Sequence, residues 1–133
     1  MATRGIRNNN PLNIRHGKSR WQGMRTKQTD KAFVQFTSRL FGYRAAMVLL
    51  RNYIGQGRNT IGKIIRRWAP ANENNTQAYI DFVVKTTGIS AIHVLKFGDK
   101  DDIVSIVRSM AQMESGIVED RVLIAEAYEL AKS

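Results

Sequence analysis

Apolar and polar positions divide the chain into a short-period first third and a helical remainder. Residues 4–20 are polar, carry Gly5, Pro11, Gly17 and the run Asn8-Asn9-Asn10, and predict an ordered loop segment more than a helix. Residues 20–28 and 31–37 predict a small β-hairpin, with Phe33-Val34-Gln35-Phe36 as strand and Thr29-Asp30-Lys31 as turn. From Ser38 onward the apolar residues recur at spacings of three and four, the period of an amphipathic helix.

Five helices follow from that period. Ser38 can cap the first, which runs to about Ile54 with Leu40, Ala45, Ala46, Leu49, Leu50 and Tyr53 on one stripe and Gly55 closing it. Thr60 can cap the second, where Ile61, Ile64, Ile65 and Trp68 share a face and Ala69-Pro70-Ala71 ends the run. The third starts at Asn75 or Thr76, turns Tyr79, Ile80, Val83 and Val84 inward and ends near Gly88. The fourth starts at Asp101 or Asp102 and covers Ile103 to about Met113; the fifth covers roughly Glu119 to Lys132, with Val122, Leu123, Ala127 and Leu130 as its core side. No repeat or linker divides the chain, so the expectation is one domain over 1–133, α+β in class but mainly α.

Composition narrows the chemistry. There is no cysteine and there are only His16 and His93, which removes thiol catalysis and makes a multi-histidine metal site improbable; neither metal nor cofactor is expected. The net charge is +10, and it is lopsided: residues 1–70 hold 15 Lys/Arg and one acid, Asp30, while residues 71–133 hold 6 Lys/Arg and 10 acids. Such a chain should meet a polyanion, whether nucleic acid, an anionic membrane surface or cell-wall polymer. No apolar run is long enough to span a bilayer, and the start lacks the apolar core of a secretory signal.

One carboxylate is out of place on this pattern. The apolar line Ile103, Val107, Met110 continues to Glu114, so that residue lies on the core-facing side of its helix, in the last turn before Ser115-Gly116. Burial and the negative end of the helix dipole both disfavour its anion and raise its pKa. An arginine partner from the basic half is one account. The other is a protonated general acid at a cleft wall, the group that glycosidic cleavage needs.

Several segments resemble peptidoglycan-cleaving enzymes of the lysozyme-like superfamily. Met113-Glu114-Ser115-Gly116 is similar to the Glu-Ser-Gly that carries the catalytic glutamate of lytic transglycosylases and flagellar-type glucosaminidases. Asn10-Pro11-Leu12-Asn13-Ile14-Arg15 resembles the "NNLFGIK" segment of the latter, Trp21-Gln22-Gly23 with Thr29-Asp30 and Phe33 to Ser38 resembles their hairpin, and Trp68-Ala69-Pro70 through Tyr79 resembles their "YATDP…Y" stretch. The glutamate helix comes first in those enzymes and near the end here, the order a circular permutation would produce. Over most of its length the chain also resembles phage and prophage proteins beginning "RGIRNNNPGNIR" and carrying "RWAP..EN.T..Y". Leu12 stands where that group has Gly, and Ser115 where it has Asn.

The resemblance implies a lysozyme-like fold and cleavage of the β-1,4 bond between N-acetylmuramic acid and N-acetylglucosamine, with Glu114 protonating the leaving oxygen. Asp30 stands where the glucosaminidases have a second carboxylate; its ordinary reading is a turn aspartate. Glu73, between Pro70 and a helix start, is a third acid that could line a cleft. Asn8, Asn9, Asn10, Asn13 and Arg15 are candidate sugar contacts, as are Trp21 and Tyr79 by stacking, while Trp68 reads as core. The expected partner is the peptidoglycan glycan strand, met by a monomer that starts in a phage virion or the host cytoplasm and acts at the periplasmic wall; nucleic-acid binding would be non-specific. The rival reading is a non-catalytic basic virion or nucleic-acid-binding protein. The permuted order requires the helix ending at Glu114 to lie beside the Asn8–Arg15 segment.

Overall fold

A computed structural model describes residues 2–70 and 73–132, with the side chains of residues 73 and 74 outside that description. Its helices are α1 (Arg4–Arg7), α2 (Arg39–Gly55), α3 (Ile61–Trp68), α4 (Glu73–Thr87), α5 (Lys100–Ser115) and α6 (Arg121–Lys132). The fold is mainly α. Helices α2 and α6 make the most extensive pairing, α5 packs on both α4 and α6, and α3 packs on α4. Tyr43, Met47 and Leu50 of α2, Ile61, Ile64 and Ile65 of α3, and Ile103, Ile106 and Met110 of α5 meet in one continuous buried cluster.

Three expectations need correction. The segment 4–20 is not all loop: Arg4–Arg7 forms one helical turn, closed by Asn8 N–H to the Arg4 carbonyl at 3.0 Å.

The hairpin of residues 20–37 is not a ladder. Among the described residues there are two isolated antiparallel bridges, Arg15 with Phe33 and Met24 with Phe36. The Phe33–Phe36 stretch lies between two segments: Val34 N–H donates to Ile14 at 3.0 Å, and the Arg25 N–H donates to Gln35 at 2.9 Å. Glutamine side chains take what a longer ladder would have taken. Gln35 N–H donates to Gln28 Oε1 at 2.8 Å, Gln28 Nε2 donates to the Gln35 carbonyl at 2.8 Å, and Gln35 Oε1 accepts from Thr29 N–H.

The core face of α6 is also shifted. Val122 and Leu130 are 63% and 40% exposed, while Ile124, Ala127, Tyr128 and Ala131 are buried. Two contacts set this phase. Glu119 precedes the helix and turns inward onto Arg39 and Tyr43, and the Tyr128 ring stacks on Phe97 at 4.9 Å while its hydroxyl donates to the Phe97 carbonyl.

The N-terminal segment docks on the end of α5, so the helix ending at Glu114 lies beside the 8–15 segment. Ser115 Oγ donates to the Pro11 carbonyl at 2.6 Å, and Thr3 Oγ1 donates to the Ser115 carbonyl at 2.9 Å. Gly5 is required at this contact, because a Cβ there would overlap Ser115 Oγ.

Candidate active site

Helix α5 stops at Gly116, whose φ of 71° is the left-handed conformation that ends helices and favours glycine. Glu114 therefore sits in the last turn, where the docked N-terminal segment reaches it. Asn13, itself at φ 53°, turns its amide so that Nδ2 donates to Glu114 Oε1 at 3.2 Å and to the Glu114 carbonyl at 3.3 Å. Asparagine tolerates the left-handed region better than most residues. The other amide atom, Asn13 Oδ1, is buried without a hydrogen-bond partner among the described residues.

Glu114 and Asn13 form part of the wall of a cleft of about 610 Å³, shared with Arg15, Trp21, Trp68 and Tyr79. Burial pushes the Glu114 carboxyl above its usual range. The Asn13 amide, the Tyr79 hydroxyl, the positive charge of Arg15 and the Trp68 indole oppose that rise without cancelling it. No ion pair engages Glu114 among the described residues. Tyr79 feels the same proximity: burial, and then the Glu114 charge, hold its phenol well above the usual value, and its buried oxygen has no partner at hydrogen-bond geometry among the described residues. The site thus has a desolvated carboxyl in an open cleft, held by an amide and not by a cation.

The other sequence candidates separate sharply. Arg15 and Trp21 line the cleft with Asn13. Tyr79 also lines it, but at 6% exposure it has no free ring face for a sugar, which corrects the stacking role expected of it. Trp68 packs half-buried against the core, as expected, and also lines the cleft, which was not expected; it donates Nε1 to the Leu12 carbonyl at 3.3 Å and meets Tyr53 edge-on. Its place in Trp68-Ala69-Pro70, a segment that carried the resemblance, was the available signal. Phe33, Tyr53 and Arg67 also line the cleft and were not anticipated.

Unlike Asn13, the asparagine run Asn8-Asn9-Asn10 is structural. Asn10 is buried, donates Nδ2 to the Ile14 and Val34 carbonyls at 2.9 and 2.8 Å, and accepts from Ile14 N–H. Asn8 bridges Asp30 and Gln35, and Asn9 (φ 51°) donates to the Phe36 carbonyl. None of the three lines the cleft.

Asp30 is a clasp, not a wall of the cleft. Its two carboxylate oxygens accept from Arg4 Nε and Nη2 at 2.6 Å each, from Asn8 Nδ2 at 2.9 Å, and from the Ala32 and Phe33 N–H groups at 2.9 and 3.0 Å. The Arg4 guanidinium first, then the Phe33 N–H and the Asn8 amide, hold its pKa far below the usual carboxylate range. A folded-state pKa depressed in this way contributes stability that is complete above the unfolded value of about 3.9 and is lost as pH falls below it. Asp30→Asn is therefore expected to lower Tm at pH 7 and to flatten the acid side of the Tm–pH curve below about pH 4. Thermal melts across that range check this, and an unchanged curve removes the structural role. The third acid, Glu73, opens α4, and its side chain lies outside the described residues.

No cluster of three or more potential metal-binding side chains occurs among the described residues. No helix among them is long and apolar enough to cross a membrane.

No protein-family model matches the chain. Protein P5 of Pseudoalteromonas phage PM2 is 39% identical in an alignment of 119 residues that covers 86% of this chain and 72% of that protein. This chain belongs to the phage protein P5 family. The P5 relationship makes it a phage-associated protein and covers most of the fold just described.

Proposed function

We propose that this phage protein is a lysozyme-like muralytic enzyme that cleaves the β-1,4 bond between N-acetylmuramic acid and N-acetylglucosamine. The observation that carries the reading is Glu114: a carboxyl with a raised pKa, free of any ion pair among the described residues, lining a cleft large enough for sugar rings. A protonated carboxyl there donates its proton to the leaving glycosidic oxygen as the C–O bond breaks. Asn13 fixes its direction by donating to Oε1, leaving Oε2 to carry the proton. Trp21, partly buried against the core, lines the cleft and offers a ring edge or face for contact with a sugar.

The second step follows from which carboxylates reach the cleft. Hydrolysis uses a second carboxylate to activate water or attack the sugar. Asp30 is committed to Arg4 and lies outside the cleft, and Glu114 is the one carboxylate lining it among the described residues. This favours the intramolecular route. The muramic 6-hydroxyl attacks C1, Glu114, now ionised, takes the hydroxyl proton, and a 1,6-anhydro sugar leaves. Mass spectrometry of digested peptidoglycan is expected to show 1,6-anhydromuramic ends. Ordinary reducing ends would replace this route by hydrolysis. Cleavage of peptide stems alone, or no cleavage by the folded protein, would overturn the glycosidase reading and leave the basic binding protein in its place.

A further inference from the structure

The cleft holds two cations that the proposed bond cleavage does not use. Arg15 and Arg67 both line it, and both are exposed. Each is steadied by an aromatic ring that lines the same cleft: the Arg15 guanidinium lies 4.8 Å from the Phe33 centroid, and that of Arg67 lies 5.9 Å from the Tyr53 centroid. Tyr53 is in turn fixed edge-on against Trp68 at 6.1 Å. Neither arginine forms an ion pair with a carboxylate among the described residues, although Arg4 and Arg39 elsewhere in the chain do. Two pre-oriented guanidiniums in a cleft lined by one carboxyl among the described residues form a receptor for anions. A guanidinium presents a planar fork of donors that matches a carboxylate.

We propose that Arg15 and Arg67 bind a carboxylate carried by the glycan strand, so that the cleft selects an anionic polysaccharide over a neutral one of the same backbone. This rests on the reading that the cleft holds a glycan. The carboxylate has two sources in a wall strand: the lactyl group of the muramic sugar, or the acidic residues of the peptide stem.

Binding separates this from catalysis. The protein carrying Glu114→Gln is titrated, at one fixed ionic strength, with three glycans of equal length. These are neutral chitin oligomers, amidase-stripped wall strands whose lactyl carboxylates are free, and uncrosslinked strands that keep their stems. Affinity for at least one of the charged glycans is expected to exceed that for chitin. Adding Arg15→Gln or Arg67→Gln is expected to erode that preference roughly three- to tenfold each. Arg66→Gln, a neighbouring exposed arginine outside the cleft lining, should leave it intact. A preference confined to stemmed strands assigns the stem carboxylate; one already present for stripped strands assigns the lactyl group. Equal affinity for all three, or a preference that survives loss of both arginines, overturns the proposal while leaving the glycan reading standing. Failure to bind any of the three overturns both.

Discussion

Glu114→Gln is expected to give a folded protein that no longer clears wall material. Gln is nearly isosteric, and Asn13 Nδ2 still finds an oxygen to donate to, so the docking of the N-terminal segment on α5 survives. Only the transferable proton is lost, and with it a factor of about 10²–10⁴ in rate from general acid assistance. Stability should move the other way. A carboxyl whose folded-state pKa is raised contributes most below its unfolded pKa, and that contribution is lost as pH rises through the folded value. At neutral pH the wild type holds a partly buried acid, at the unfavourable end of a helix dipole, under pressure to ionise. Gln relieves this, so the variant should match or exceed the wild type by about 0.3–1 kcal/mol. The same shift fixes the pH profile of the wild type: activity falls on the alkaline side as Glu114 loses its proton, at a pH above the ordinary glutamate value of about 4.3. Turbidity clearance of permeabilised Gram-negative cells, paired with a thermal melt, reads both effects. Retained clearance removes Glu114 from the chemistry.

The position of Glu114 was legible because helical periodicity and one motif agree on it. The line Ile103, Val107, Met110 runs on into the last turn of α5, and those three residues are buried as the spacing requires. The docking of Asn13 beside it was legible only through segment order, since nothing local joins residues 13 and 114. What stayed hidden was the work of amide side chains. A run of asparagines reads equally as sugar ligands or as backbone clasps, and Asn8 and Asn10 are clasps because the segments they join, near Ile14, Asp30 and Val34, are distant in sequence or unstructured alone. The glutamines that stand in for hairpin pairing are invisible for the same reason: Gln28 and Gln35 look like surface residues until their seven-residue separation is folded into a turn. The phase of α6 failed on the residue before it. A glutamate at the start of an amphipathic run reads as a solvated helix-start residue, and Glu119 instead turns into the core.

That residue supplies the counterpart to Glu114. The two glutamates lie five positions apart, and both are withdrawn from water, but their surroundings differ in kind. Glu119 is 6% exposed and its Oε1 accepts from Arg39 Nε at 2.8 Å and from the Tyr43 hydroxyl at 3.0 Å. Its backbone carbonyl accepts from Arg108 Nε at 2.6 Å. Burial first, and then the Glu119 charge, drive the Tyr43 phenol well above its usual pKa, so Tyr43 remains a donor. Three elements, α2, α5 and the approach to α6, are tied together at this residue. Glu119→Ala leaves Arg39 unpaired and the Tyr43 hydroxyl buried without an acceptor. Removing one side of a buried, charge-assisted contact costs about 3–5 kcal/mol when both partners are fully buried; since Arg39 is partly exposed, about 2–4 kcal/mol is expected here. Glu119→Gln keeps a carbonyl acceptor for Tyr43 and should recover part of that loss. Because Glu119 does not line the cleft, the fraction of either variant that remains folded is expected to clear wall material at the wild-type rate, measured well below its lowered Tm. Two substitutions of the same residue type, five positions apart, should thus give opposite results: Glu114→Gln stable and inactive, Glu119→Ala destabilised and active once folded. If Glu119→Ala keeps its Tm but loses activity, the buried ion pair is not structural, and the assignment of roles to the two glutamates must be reversed.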